Sequence, residues 1–208
     1  MYDNAPEIVC VIDRSGSMQP LQADAIGGFN TFLAEQQRLT GDARLTLVLF
    51  DHEYQVVHDG IGVGEARPLD RSTYVPRGQT ALLDAIGRAI MTVDARLRPT
   101  NSTPVIVCIL TDGEENASVE YRQEQVSELI RRHRAEQGWQ FVFLSAREDA
   151  FKTAASLSID PKHSASFASS SAGIAGAYKS VTTMVKSFRS GSEDPSSGRT
   201  GNSGGIFH

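Results

Sequence analysis

Long apolar runs are missing from this sequence. The longest, residues 8–12 and 105–110, fall far short of the roughly 20 residues that a membrane-spanning helix needs. Cysteine is scarce: Cys10 and Cys108 are the only two, and each lies inside one of those short runs. They read as small buried thiols, and they favour a reducing compartment over a disulfide framework. The first residues, Met1-Tyr2-Asp3-Asn4, show no basic segment leading into an apolar one, so no secretory leader and a cytoplasmic location are expected. No Lys/Arg-rich stripe stands out. With 20 Lys and Arg against 25 Asp and Glu, the net charge is −5, which argues against a nucleic-acid or membrane-surface partner. His52, His58, His133 and His163 are scattered, without zinc-like spacing to another His or Cys.

What is present is alternation. Residues 8–12 are apolar and partly β-branched, then turn abruptly polar, as a buried strand ending in a loop does. Apolar residues at helical spacing over 20–38 predict a helix, with Gly27-Gly28 inside it suggesting close packing against a neighbour. Arg44–Phe50 reads as a second strand, 51–54 as a hairpin connection and 55–58 as a third strand. Residues 59–79 look irregular. A stripe of Leu82, Ala85, Ile86, Ala89, Ile90 and Val93 predicts a helix over 81–97. Strand 105–110, helix 119–137, strand 139–144, helix 148–156, an extended piece near 165–167 and helix 172–188 complete the series, with Pro99 and Pro104 between the second helix and the fourth strand.

Short, all-apolar strands alternating with helices specify a doubly wound α/β fold: a mostly parallel sheet with helices on both faces and one antiparallel edge strand. The globular domain is expected to span 1–189. Residues 190–208 are Gly/Ser-rich and are expected to form a flexible tail, ending in the mildly apolar Ile206-Phe207-His208.

In such sheets ligands bind beyond the carboxyl ends of the strands. Three polar segments fall there. Asp13-Arg14-Ser15-Gly16-Ser17 follows the first strand, Gly78-Gln79-Thr80 precedes a helix, and Thr111-Asp112-Gly113 follows the fourth strand. Two aspartates and three hydroxyls can therefore converge. Two close carboxylates repel unless a cation separates them, and a hard dication takes oxygen ligands. The expectation is a metal site made by Asp13, Ser15, Ser17, Thr80 and Asp112, holding magnesium, with calcium or manganese as alternatives. Asp51, Glu53, Glu114 and Glu115 form an acidic rim, offset by Arg14 and Arg77.

Asp13-x-Ser15-x-Ser17, Thr80 in Gly-x-Thr and Asp112 in Thr-Asp-Gly resemble the complete metal-ion-dependent adhesion site of von Willebrand factor A domains, over roughly residues 6–188. Gly27-Gly28-Phe29-Asn30 and the stretch from Phe143 to Ala150 are similar to compact stand-alone bacterial and phage-associated members. Those often carry Gly-Ala-Asn-Gln-Asp where this chain has Ser145-Ala146-Arg147-Glu148-Asp149. The resemblance implies a non-catalytic, metal-dependent protein-interaction module. Its ion would bind an Asp or Glu carboxylate of a partner protein. It would be a monomeric adaptor within an ATPase, stress-response or phage-associated system, and its last helix would be the element that moves in some members.

The enzymatic alternative is a metal-dependent phosphohydrolase with Asp13 as nucleophile. Phosphatases of the haloacid dehalogenase type carry a second aspartate two residues on, where this chain has Ser15, and no lysine lies in the motif loops.

Overall fold

The apolar run at 8–12 lies at the middle of the sheet. The computed structural model describes residues 5–97 and 103–190. In it β1 (Glu7–Asp13) is buried along its whole length and pairs in parallel with β2 (Arg44–Phe50) on one side and β4 (Val105–Thr111) on the other. β3 (Tyr54–Gly62) runs antiparallel to β2 at one edge. β5 (Gln140–Ser145) and the short β6 (Ser164–Ser166) extend the sheet in parallel at the other. The order is β3-β2-β1-β4-β5-β6. The mixed sheet with one antiparallel edge strand is thus the architecture that the alternation predicted. Of the expected tail, residues 191–208 lie outside the described residues, as does Pro99.

Strand side chains alternate between two cores, because successive residues point to opposite faces. Ile8, Cys10 and Ile12 join Leu45, Leu47, Leu49, Ile106, Cys108 and Leu110 on one face, under α1 (Gln22–Arg38) and α5 (Ser171–Arg189). Val9, Val11, Val107, Ile109, Phe141 and Phe143 line the other. That face is covered by α2 (Leu82–Leu97), α3 (Gln123–Gln137) and α4 (Ala150–Ser156). Among the described residues no helix is long and apolar enough to cross a membrane.

Three boundaries differ from the sequence reading. The first helix does not begin at Pro20: Gly16–Leu21 forms a 3-10 helix, with Pro20 inside it, and α1 follows. β3 is longer than 55–58 and reaches Gly62, through irregular pairing with β2 around Leu45, Leu47 and Val48. The third helix starts at Gln123, because the backbone N–H groups of Val119, Glu120 and Tyr121 donate to the Asp84 carboxylate instead of turning helical.

Of the paired glycines, one is a packing requirement. A Cβ at Gly28 would lie 2.2 Å from the Tyr178 ring, whereas one at Gly27 would meet nothing within 4 Å. Tyr178 reaches across from α5 into the α1 side of the core. Gly28→Ala is therefore expected to lower stability by about 1–3 kcal/mol through overpacking. Gly27→Ala should raise it by about 0.5–1 kcal/mol through helix propensity. Urea unfolding of the two variants gives opposite shifts of midpoint if this packing is right.

Candidate functional site

Asp13 ends β1, and its side chain is fully buried. Both carboxylate oxygens are occupied by donors from the chain: the Ser15 backbone N–H donates to Oδ1 at 2.6 Å and the Thr111 hydroxyl to Oδ2 at 2.5 Å. The Asp13 carbonyl accepts from the hydroxyl of Tyr74, itself fully buried, at 2.5 Å. From there the chain turns outward. Ser15 is buried, and Gly16 and Ser17 are exposed. The Ser15 and Ser17 hydroxyls are 3.0 Å apart, and Ser17 donates to Asp112 Oδ1 at 2.7 Å. The hydroxyls and carboxylates of the first and fourth strand ends thus form one connected set.

Thr80 enters from the loop before α2. A Cβ placed on Gly113 would lie 2.5 Å from Thr80 Oγ1 and 3.3 Å from Asp13 Oδ2. The threonine hydroxyl and the buried carboxylate therefore border the same glycine, and any side chain at 113 would collide with them. The Thr80 backbone exchanges two hydrogen bonds with Asn116: Thr80 N–H donates to Asn116 Oδ1 at 2.9 Å, and Asn116 N–H to Thr80 O at 3.0 Å. All five residues singled out from sequence meet in one place.

The loop after Asp112 is tied to α2 rather than to its own helix. Asp84, nearly buried, accepts from Val119 N–H at 2.9 Å, Glu120 N–H at 3.0 Å and Tyr121 N–H at 2.8 Å. Glu115, expected on the acidic rim, instead accepts from Leu83 N–H and from Ala117, Ser118 and the Ser118 hydroxyl. Asp51 is likewise no rim charge. It is fully buried and ion-paired at 3.0 Å to both Arg14 and Arg77. Glu114 and Glu53 remain exposed, paired with Arg147 at 3.5 Å and with Arg77. Tyr74, Asp84, Thr111 and Asn116 were not assigned from sequence. Asp84 lies at the start of a helix, where a carboxylate is ordinary, and Tyr74 sits in an irregular stretch with no period to mark it.

Burial pushes the Asp13 carboxyl up to about 6. Hydrogen bonds from Thr111 and Ser15 pull it back, and the charge of Asp112 adds a smaller upward push. Asp112 is also raised, first by burial, with the Ser17 hydrogen bond opposing. Desolvation, more than repulsion between the two carboxylates, is therefore what disfavours their charged forms.

These facts correct the expectation of a magnesium, calcium or manganese ion. Among the described residues no group of three or more His, Cys, Asp or Glu side chains could hold a metal ion. The cluster offers two carboxylates, of which one is buried and accepts a donor on each oxygen, and hydroxyls that bond to one another and to Asp112. The arrangement answers the cost of two close acids by hydrogen bonding and a raised proton affinity. The complete metal-ion-dependent adhesion site, the metal-bridged Asp or Glu of a partner protein and the adaptor role built on that bridge are withdrawn with the ion. The phosphohydrolase alternative goes too, since Asp13, which would be the nucleophile, is fully buried and out of reach of a phosphate ester.

No family model and no curated protein matches the sequence. Solved structures do match in shape. A von Willebrand factor type A protein from Catenulispora acidiphila is similar with a TM-score of 0.59 at 19% identity, over 86% of this chain and 42% of that one. Proximal thread matrix protein 1 from the mussel byssus gives 0.61 at 17%, over 87% and 46%. The manganese-loaded TRAP protein of Plasmodium vivax gives 0.64 at 14%, over 90% and 74%. The chain spans less than half the length of the first two. At these identities the likeness is one of fold: a von Willebrand factor A-like α/β sheet.

The raised Asp13 carboxyl has a measurable consequence. Between the ordinary carboxylate value of 3.8 and about 6, the folded chain holds this proton and the unfolded chain does not. The contribution of Asp13 to stability is complete below about pH 4 and is lost as the pH rises through about 6. Urea midpoints measured across that window should shift down with rising pH in the wild type relative to Asp13→Asn, which carries no titrating group at that position.

Proposed function

We propose that this chain is a protein-interaction module that binds its partner on the loop surface at the carboxyl ends of β1 and β4, with Asp13, Ser15, Ser17, Thr80 and Asp112 at its centre. The observation that carries the reading is the connected set of groups from the loops after β1 and β4, with Thr80 bordering it across Gly113, laid out so that Ser17 is exposed and Asp112 half-exposed while Asp13, Ser15 and Thr80 are buried behind them. Ser17 and Asp112 are the groups a partner can reach. The buried three fix their position. A half-exposed carboxylate already accepting from a serine suits direct hydrogen bonding to a donor of the partner, such as a backbone N–H or an amide.

Loops tied to rigid elements favour binding, because less freedom is lost on association. The ties from Asp84, Glu115 and Asn116 do this for the segment after Asp112. Val119, Val75 and Phe151, exposed apolar residues, belong to or adjoin loops of the same sheet edge and would supply the apolar contacts usual at protein interfaces. The reading is one of binding without turnover. A cytoplasmic setting goes with it: the chain has only two cysteines, both buried in its core, and owes its stability to packing rather than to a disulfide framework.

A peptide-display selection against the immobilised chain tests the reading. Selected peptides should lose about tenfold in affinity on Ser17→Ala or Asp112→Ala, the worth of one hydrogen bond to a charged group, in variants that keep wild-type circular dichroism. Peptides that ignore both substitutions but are displaced by changes in the groove between α1 and α5, where Lys179 and Tyr178 form part of the lining, would move the binding surface there and overturn the proposal.

A further inference from the structure

Cys10 and Cys108 stand directly opposite each other. They are register partners in the parallel pairing of β1 with β4, and both side chains belong to the core face beneath α1 and α5. Neighbouring strands lie about 4.7–4.9 Å apart, inside the 4.4–6.8 Å between Cα atoms that a disulfide spans. The two side chains leave the sheet in the same direction, so the bond needs no crossing of faces, and closing it draws their Cβ atoms from about the strand spacing into the roughly 3.5–4.5 Å that a disulfide takes. Both residues are 4% exposed, and the chain has no third cysteine to compete.

We propose that Cys10 and Cys108 are a disulfide-forming pair, closed by a low-molecular-weight disulfide such as oxidised glutathione. One cysteine thiolate attacks a sulfur of the oxidant. The S–S bond of the oxidant breaks, and the first glutathione leaves as a thiolate. The second cysteine thiolate then attacks the protein sulfur of the mixed disulfide, forming the Cys10–Cys108 bond and expelling the second glutathione. The two protons given up by the cysteines end on the two released thiols, and two electrons pass to the oxidant. Only a thiolate attacks, and burial raises both thiols, Cys108 to about 12 and Cys10 well above its ordinary value. The reaction in the folded chain is therefore gated. It requires the α1–α5 layer, where Tyr178 packs in the same core cluster as Cys10, to open far enough to admit the oxidant.

The bond would join the two strands whose next residues form the candidate site. Asp13 lies three positions beyond Cys10, and Asp112 four beyond Cys108. Closing so long a loop also restricts the unfolded chain.

The full chain is incubated with oxidised glutathione, with and without urea below the unfolding transition. It is then alkylated in denaturant, and its intact mass and linked peptides are read. The expected product has lost the mass of two hydrogen atoms, takes no alkyl group and yields a Cys10–Cys108 linked peptide. It forms faster in the dilute urea and unfolds at a higher urea midpoint than the reduced chain. Cys10→Ser and Cys108→Ser should each give at most a glutathione adduct or one alkylated thiol. A wild-type chain that ends as a stable glutathione adduct, as a linked dimer or as two alkylated thiols after oxidation in dilute urea would overturn the proposal. So would an internal bond that lowers the midpoint.

Discussion

Asp13 is a carboxyl group with no contact with water, placed at the end of a strand whose middle, Ile8 to Ile12, is hydrocarbon and thiol. A buried polar group is costly unless it is bonded on all sides, and the loops around it are shaped by that demand. Ser15 offers its backbone, Thr111 its hydroxyl from the next strand, and Tyr74 bonds the carbonyl from a segment 61 residues away in sequence. The tight passage of Gly113 past Thr80 follows as well, since the fourth-strand loop must come close enough to close the ring around this carboxylate. The outer layer, Ser17 with Asp112, rests on that inner one.

A second carboxylate, Asp84, plays the same part for the flank. It occupies the first turn of α2, where a negative charge is favoured by the helix dipole, and its oxygens collect three consecutive amides of the loop that leads to α3. Glu115 faces the other way and caps α2 by accepting from Leu83. Each segment satisfies the other's backbone, so the loop after Asp112 and the start of α2 behave as one piece.

The sheet was legible in the sequence because strand burial writes itself as unbroken apolar runs. β1, β2, β4 and β5 all carry that mark, and the polar third strand is distinct from them. The convergence of Asp13, Ser15, Ser17, Thr80 and Asp112 was legible for the same reason: strand ends and a helix start are visible in pattern, and a parallel sheet brings them to one edge. What the residues do together was not. Oxygen-bearing side chains at the same spacing can face an ion or one another, and it takes the folded chain to show that each Asp13 oxygen accepts from an internal donor. Glu115 and Asp51 read as surface charge because nothing in a single sequence distinguishes a solvated acid from one holding a loop. The start of α3 was misplaced because amides given to Asp84 leave the apolar period of the helix unchanged.

The strand order gives the molecule a seam. Everything up to α2 lies on the β3-β2-β1 side, and everything from β4 onward on the other, apart from α5, which returns to cover α1. Asp13 with Thr111, Ser17 with Asp112, Thr80 with Asn116 and Cys10 opposite Cys108 all straddle that line. Each half contributes one acid to the cluster, and each acid accepts a hydroxyl from the other half. The site is thus a product of the two halves' meeting: a ribosome that has released only the first half has made Asp13, Ser15, Ser17 and Thr80 but neither of the hydroxyl bonds that cross the line.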